Sequence, residues 1–176
     1  MIEETPREEA PRRGRRKKRI EPDSVPGYHD YRREMPRSPK NPEKPLKVEV
    51  VDDDPDICKV LRIFFWTRGL EVVEAPNGTE GVAAAKKEQP DVVLLDIMMP
   101  DIDGFEVYHR LKLDPETQDI PVIFVSAKAD ARHIQEGLSL GAEGYVTKPF
   151  DPADLLDKII EVARASAGAG PGGPRA

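Results

Sequence analysis

Five short runs rich in valine and isoleucine, each followed by a stretch with helical spacing, constrain this chain more than any other feature. They are KVEVV (47–51), LEVV (70–73), DVVLL (91–95), PVIFV (121–125) and GYVT (144–147). The central runs are apolar at successive positions, as expected of strands covered on both faces. After the first run, Asp54 reads as an N-cap and Pro55 occupies the helical turn that needs no N–H donor. Ile57, Val60, Leu61, Phe64 and Phe65 then fall on one helix face. Asp151 and Pro152 repeat the start signal, ahead of a stripe of Leu155, Leu156, Ile159, Ile160 and Ala163. Further helices are expected over 79–87, 104–113 and 130–140, the last stopped by Gly141 in a left-handed conformation. Strand–helix alternation of this kind implies an α/β fold: a doubly wound, five-stranded parallel sheet with five helices on its two faces.

The alternation occupies only part of the chain. Residues 1–46 hold 13 Lys/Arg, 9 Asp/Glu and 8 of the 18 prolines, a charge of +4; residues 47–176 hold 14 and 24, a charge of −10. A proline-rich, apolar-poor stretch cannot bury enough surface to offset the entropy of ordering it. Residues 1–45 are therefore expected to be a disordered basic arm, 46–165 the folded domain, and 166–176 a flexible Gly/Pro/Ala tail. Without about 18 consecutive apolar residues, no membrane span is expected. Nor is a secretory leader, and a lone Cys58 fits a reducing, cytoplasmic setting.

In sheets of this type, ligands bind beyond the carboxyl ends of the strands. The first strand leads into Asp52 and Asp53, the third into Asp96, the fourth into Ser126 and the fifth into Lys148. Two carboxylates about 4 Å apart repel by about 4 kcal/mol at an effective dielectric near 20, so three in one crevice call for protons or a cation. Hard oxygen donors without His or Cys suit magnesium, and a lysine is suited to gripping a phosphoryl oxygen. Acids, a hydroxyl and an amine together describe phosphoryl transfer, with one acid as nucleophile.

Four segments, VVDDDPD (50–56), LLDIMMPDIDGFE (94–106), VIFVSAKAD (122–130) and GAEGYVTKPF (141–150), occur in this order. With their spacing they resemble the receiver domain of bacterial two-component response regulators, over about residues 46–165. The resemblance implies a flavodoxin-like strand order of 2-1-3-4-5 and Mg2+ as cofactor. It implies that Asp96 is the phosphoacceptor. Asp53, Asp96 and the backbone carbonyl of Met98 match the direct metal ligands, with Asp52 acting through a bound water. Ser126 and Lys148 match the residues that meet the phosphoryl group, Tyr145 matches the switch aromatic, and the bond into Pro149 is expected to be cis. Met98 and Lys128 fall where the family varies. The implied partners are a histidine kinase or histidine phosphotransfer protein and a downstream protein target, reached through the face made by the fourth helix, fifth strand and fifth helix.

Rival readings are weaker. Asp101-Ile-Asp103-Gly104 resembles the DxDG of haloacid-dehalogenase phosphatases, but there the first aspartate directly follows a buried strand, as Asp96 and not Asp101 does here. The loop also lacks the alternating acids of an EF-hand. His29, His109 and His133 are scattered, without metal spacing. The run RRGRRKKR from Arg12 to Arg19 has seven basic residues in eight. As a solvated arm it needs no partner; alternatively it binds nucleic acid or another polyanion, or folds back over the acidic domain. No output domain is expected after Phe150, so the expectation is a stand-alone phosphoacceptor, not an enzyme on outside substrates, with a regulator acting on nucleic acid through the arm as the alternative.

Overall fold

The structure, a computed structural model, describes residues 36–128 and 131–168. Residues 1–35, which include the run from Arg12 to Arg19, lie outside the described residues, as do Ala129, Asp130 and residues 169–176. A short antiparallel hairpin, β1 (Arg37–Ser38) and β2 (Asn41–Pro45), comes first. Five parallel strands follow: β3 (Lys47–Val51), β4 (Glu71–Ala75), β5 (Val92–Leu95), β6 (Val122–Ser126) and β7 (Gly144–Thr147). They form one sheet in the order β4-β3-β5-β6-β7, the flavodoxin-like order expected once the hairpin strands are counted. The helices between and after them are α1 (Pro55–Thr67), α2 (Gly78–Glu88), α3 (Gly104–Leu113), α4 (Ala131–Ser139) and α5 (Pro152–Gly168).

Two apolar layers sandwich the sheet, and successive strand residues serve opposite layers. Val92 and Leu94 of β5 join Val48, Val50, Leu61, Phe65, Leu155 and Ile159 on one face. Val93 and Leu95 join Val51, Ala85, Val107, Leu111 and Phe124 on the other. Burying each such large side chain contributes about 1.5–3 kcal/mol, so the sheet is held flat against helices from both sides. The helices start where the sequence supplies caps. Asp54 Oδ1 accepts from Asp56 N at 2.9 Å, Asn77 Oδ1 from Glu80 N at 2.8 Å and Asp103 Oδ1 from Glu106 N at 2.8 Å. Gly141 has φ of 96°, the left-handed turn that ends the α4 segment.

The structure departs from expectation in three places. Residues 37–45, within the stretch 1–45 expected to be a disordered arm, form a hairpin bonded to the residues just before β5. Apolar content alone does not signal this, because polar bonds hold the hairpin. Ser38 Oγ donates to Asp91 Oδ1 at 2.7 Å, Lys40 Nζ to the Pro90 carbonyl at 2.8 Å, and Leu46 N to the Pro36 carbonyl at 3.0 Å. At the other end α5 continues to Gly168, past the expected tail boundary. In α1, Val60 is 56% exposed, and Cys58, Leu61 and Phe65 form the buried line instead. The stripe read from the sequence is wider than the arc the sheet covers.

Glu49, in the middle of β3, is 0% exposed, and neither carboxylate oxygen has a hydrogen-bond partner among the described residues. Burial first, and then the charge of Glu88, push its carboxyl up to about 8. The group is held as the neutral acid through the mildly acidic and neutral range.

Candidate functional site

Parallel register brings the expected residues to one edge. Val51 pairs with Leu95, so Asp52 and Asp96 leave neighbouring strands side by side; Asp96 N donates to the Val51 carbonyl at 2.9 Å. Ser126 pairs with Thr147, which places Lys148 one residue beyond the end of β7, its N–H donating to the Ser126 carbonyl at 2.9 Å. The Lys148–Pro149 peptide is cis.

Asp52, Asp53 and Asp96 each present an oxygen, and these oxygens lie within 4.8 Å of one another. Asp52 and Asp96 are buried and Asp53 is exposed, so the cluster has a closed floor and an open side. Lys148 reaches in from β7: its Nζ is 2.7 Å from Asp52 Oδ2 and 3.4 Å from Asp96 Oδ1. Burial pushes the Asp96 carboxyl up, and Lys148 offsets only part of that. For Lys148 burial acts downward, but the hydrogen bond to Asp52 and the charges of Asp52 and Asp96 outweigh it, and its ammonium is held above its ordinary range. The lysine stays charged and Asp96 is reluctant to do so. Burial thus disfavours the bare Asp96 carboxylate, and a covalent partner or a cation there would relieve that cost.

Three carboxylates against one ammonium leave the fully ionised cluster two charges negative. Its donors are hard oxygens with no His or Cys among them. This set fits a divalent cation of magnesium type. Cys58 does not add to it: the Sγ donates to the Asp52 carbonyl at 3.4 Å, and burial pushes the thiol up to about 12.

The remaining expected residues lie on β6, on β7 and in the loop after β5. Ser126 is fully buried, and its hydroxyl accepts from Lys128 N at 3.2 Å. Tyr145 donates from its hydroxyl to the Lys128 carbonyl at 2.7 Å, and its ring packs on Phe124 with centroids 6.2 Å apart. A Cβ at Gly137 would come within 3.1 Å of the Tyr145 ring and 3.0 Å of Phe124, so glycine in α4 makes room for both. The Met98 side chain is 56% exposed and takes no part in the core.

Two residues, Asp101 in the loop between β5 and α3 and Gly104 at the first position of α3, were not assigned a place in the site by sequence reasoning. Gly104 packs on the backbone of Asp96 and Ile97: a Cβ there would overlap the Asp96 carbonyl oxygen, which only glycine avoids. Asp101 accepts from Gly78 N at 3.0 Å, Thr79 N at 2.9 Å and Thr79 Oγ at 2.7 Å. These bonds, the Thr79 hydroxyl foremost, hold its carboxyl well below the usual carboxylate range. Its partners are more than twenty residues away in sequence, and no local pattern announces the pairing.

Comparison with known proteins agrees with the fold. The family model described as "Response regulator receiver domain" matches residues 48–160. Protein PilH of Pseudomonas aeruginosa is 42% identical over 116 residues, which cover 66% of this chain and 96% of that protein. The DNA-binding dual master transcriptional regulator RpaA of Synechocystis sp. is 37% identical over 118 residues, 67% of this chain but 49% of RpaA, so against relatives of that kind the chain spans about half their length. A CheY-like response regulator receiver domain protein from Methanospirillum hungatei superposes with a TM-score of 0.64 at 32% identity, covering 70% of this chain and 98% of that one.

Proposed function

The chain belongs to the response regulator receiver family, and from that premise we propose that it accepts a phosphoryl group on Asp96 from a histidine kinase or a histidine phosphotransfer protein, in the cytoplasm. The observation that carries this reading is Lys148, whose ammonium bridges Asp52 and Asp96 at the open edge of the sheet. It already occupies the position from which a phosphoryl oxygen on Asp96 would be gripped.

An Asp96 oxygen attacks phosphorus as the bond from phosphorus to the donor imidazole breaks. Asp52, Asp53 and Asp96, with the Met98 carbonyl, would hold the magnesium ion, whose chemistry is neutralisation of charge on the transferring group. Lys148 exchanges its bond to Asp52 for one to the new phosphoryl oxygen. Ser126, at the end of the neighbouring strand, releases Lys128 N and turns its hydroxyl to the same group. The Ser126 change acts on Lys128, whose carbonyl accepts the Tyr145 hydroxyl. The signal is thus carried to the face of α4, β7 and α5. Shifting a two-state surface from 1:99 to 99:1 needs about 5.5 kcal/mol. Two or three charge-assisted hydrogen bonds of about 1.5–3 kcal/mol each supply that.

The test uses acetyl phosphate, or fluoroberyllate, with Mg2+. The wild-type amide spectrum changes at α4 and β7, Asp96→Asn abolishes the change, and Lys148→Met binds Mg2+ but leaves that face unmoved. Full signalling by Lys148→Met would overturn the role given to the lysine. In this reading the output is contact with a downstream protein. A second reading is favoured by the seven basic residues in eight from Arg12 to Arg19: the output is nucleic-acid binding by the arm. Duplex DNA affinity that falls steeply with salt and disappears on deleting residues 1–35 would favour it.

A further inference from the structure

The Asp101-Ile-Asp103-Gly104 motif has a place in the site that the phosphatase resemblance does not explain. The loop from Asp96 to Asp103 supplies the phosphoacceptor and the Met98 carbonyl, while Asp52 and Asp53 come from β3. For one cation to meet all of them, loop and strand must be indexed to each other. The structure does this through α2. At the base of the loop, Gly104 N donates to the Ile97 carbonyl at 3.0 Å. At its apex, the Asp101 carboxylate takes the N–H groups of Gly78 and Thr79 and the Thr79 hydroxyl. Ile102 closes on the same helical turn, since a Cβ at Gly78 would fall 2.5 Å from Ile102 Cγ1. One turn further on, α2 seats on β3: a Cβ at Gly81 would be 2.7 Å from Cγ1 of Val51, the residue before Asp52.

We propose that Asp101 is a positioning residue for the cation site, clamping the loop of Asp96 and Met98 to the helix that also sets the end of β3. The inference rests on reading Asp53, Asp96 and Met98 as the metal ligands. The clamp is specific to Asp101 because α2 has a separate cap of its own in Asn77, whose side chain bonds Glu80 N at 2.8 Å and the Glu80 carboxylate at 2.9 Å. Loss of Asn77 frays the helix start; loss of Asp101 frays it and also frees the loop.

The experiment is Mg2+ titration of the full chain by calorimetry, with amide hydrogen exchange of residues 97–103 in metal-free protein as the second readout. Removing an outer partner of a metal site costs about 10–100-fold in affinity. Asp101→Ala is expected at the lower end, about tenfold, with faster loop exchange. Asn77→Ala, equally a lost cap, leaves Mg2+ affinity and loop exchange near wild type. Asp101→Asn, which keeps one acceptor oxygen, recovers part of the loss, and Thr79→Val shows a smaller loss of the same kind. If Asp101→Ala does not fold, the order wild type, Thr79→Val, Asp101→Asn in Mg2+ affinity decides. Equal affinities for wild type, Thr79→Val and Asp101→Asn, or equal losses in Asp101→Ala and Asn77→Ala, would overturn the proposal. Asp53→Asn and Asp96→Asn separate the two levels: if they bind Mg2+ as wild type does, the metal reading itself fails; if they lose it while Asp101→Ala does not, only the clamp fails.

Discussion

Asp96 at the end of β5 and Glu49 in the middle of β3 are both buried carboxyls of the same sheet, and the fold treats them in opposite ways. Asp96 sits beside two other acids and is met by the Lys148 ammonium at 3.4 Å. Glu49 meets nothing: its oxygens are unpartnered among the described residues and its acid is pushed up to about 8. An intermediate case is Asp91, just before β5, buried but bonded to the Ser38 hydroxyl at 2.7 Å and to Lys47 N at 2.8 Å. Burial alone therefore does not mark a functional acid. What marks Asp96 is burial together with a neighbouring counter-charge and an open side through which another ligand can enter.

The contrast can be broken by mutation. The largest effect is expected at Lys148. Removing one partner of a buried pair leaves charge without compensation and costs about 3–5 kcal/mol. Lys148→Met should lose stability toward the lower end of that range at neutral pH without Mg2+, and regain part of it when Mg2+ is added, as read by urea unfolding. A loss that Mg2+ does not relieve would mean that Lys148 only fills space.

Glu49→Leu should act in the reverse direction and less strongly. An unsatisfied buried polar group costs about 1–3 kcal/mol, so its removal should stabilise the protein by a similar amount. The pH dependence has a definite sign. The folded acid holds its proton up to about 8, while the unfolded one releases it near 4.5. Between these values the folded state binds more protons, so stability is greatest below 4.5, falls as pH rises and levels off above about 8. The slope is at most about 1.4 kcal/mol per pH unit for one proton. Unfolding midpoints measured across this window should show the decline in wild type and lack this component in Glu49→Leu. A pH-independent gain would mean that the carboxyl is not titrating there.

Ser38→Ala should give the smallest effect, about 1 kcal/mol, since Asp91 keeps the Lys47 N–H bond. Chemical denaturation of this variant also asks whether the hairpin belongs to the domain: a separate early transition would show that it does not.

The same three acids show what can be read from a sequence. The strand-end aspartates were legible because each follows an apolar run, and parallel register aligns the ends of such runs without further information. The strand order came from the resemblance, not from the alternation. Glu49 was not legible as a buried group, because KVEVV reads as a strand whichever residue sits third. The hairpin was missed for a related reason: its bonds run from Ser38 and Lys40 to residues some fifty positions later, and an apolar count is blind to them. Asp101 is the same case at the site itself. Val60 failed differently, because periodicity gives the direction of a helix face but not the width of the sheet that covers it.

The most direct test of the account locates the phosphoryl group. Protein treated with acetyl phosphate and Mg2+ is reduced with borohydride, which converts an acyl phosphate to a stable alcohol, and the modified residue is found by peptide mass spectrometry. The prediction is one reduced residue, Asp96, formed in wild type and absent from Asp96→Asn. Reduction at Asp52 or Asp53, or a phosphate that survives on a hydroxyl or imidazole side chain instead, would contradict it.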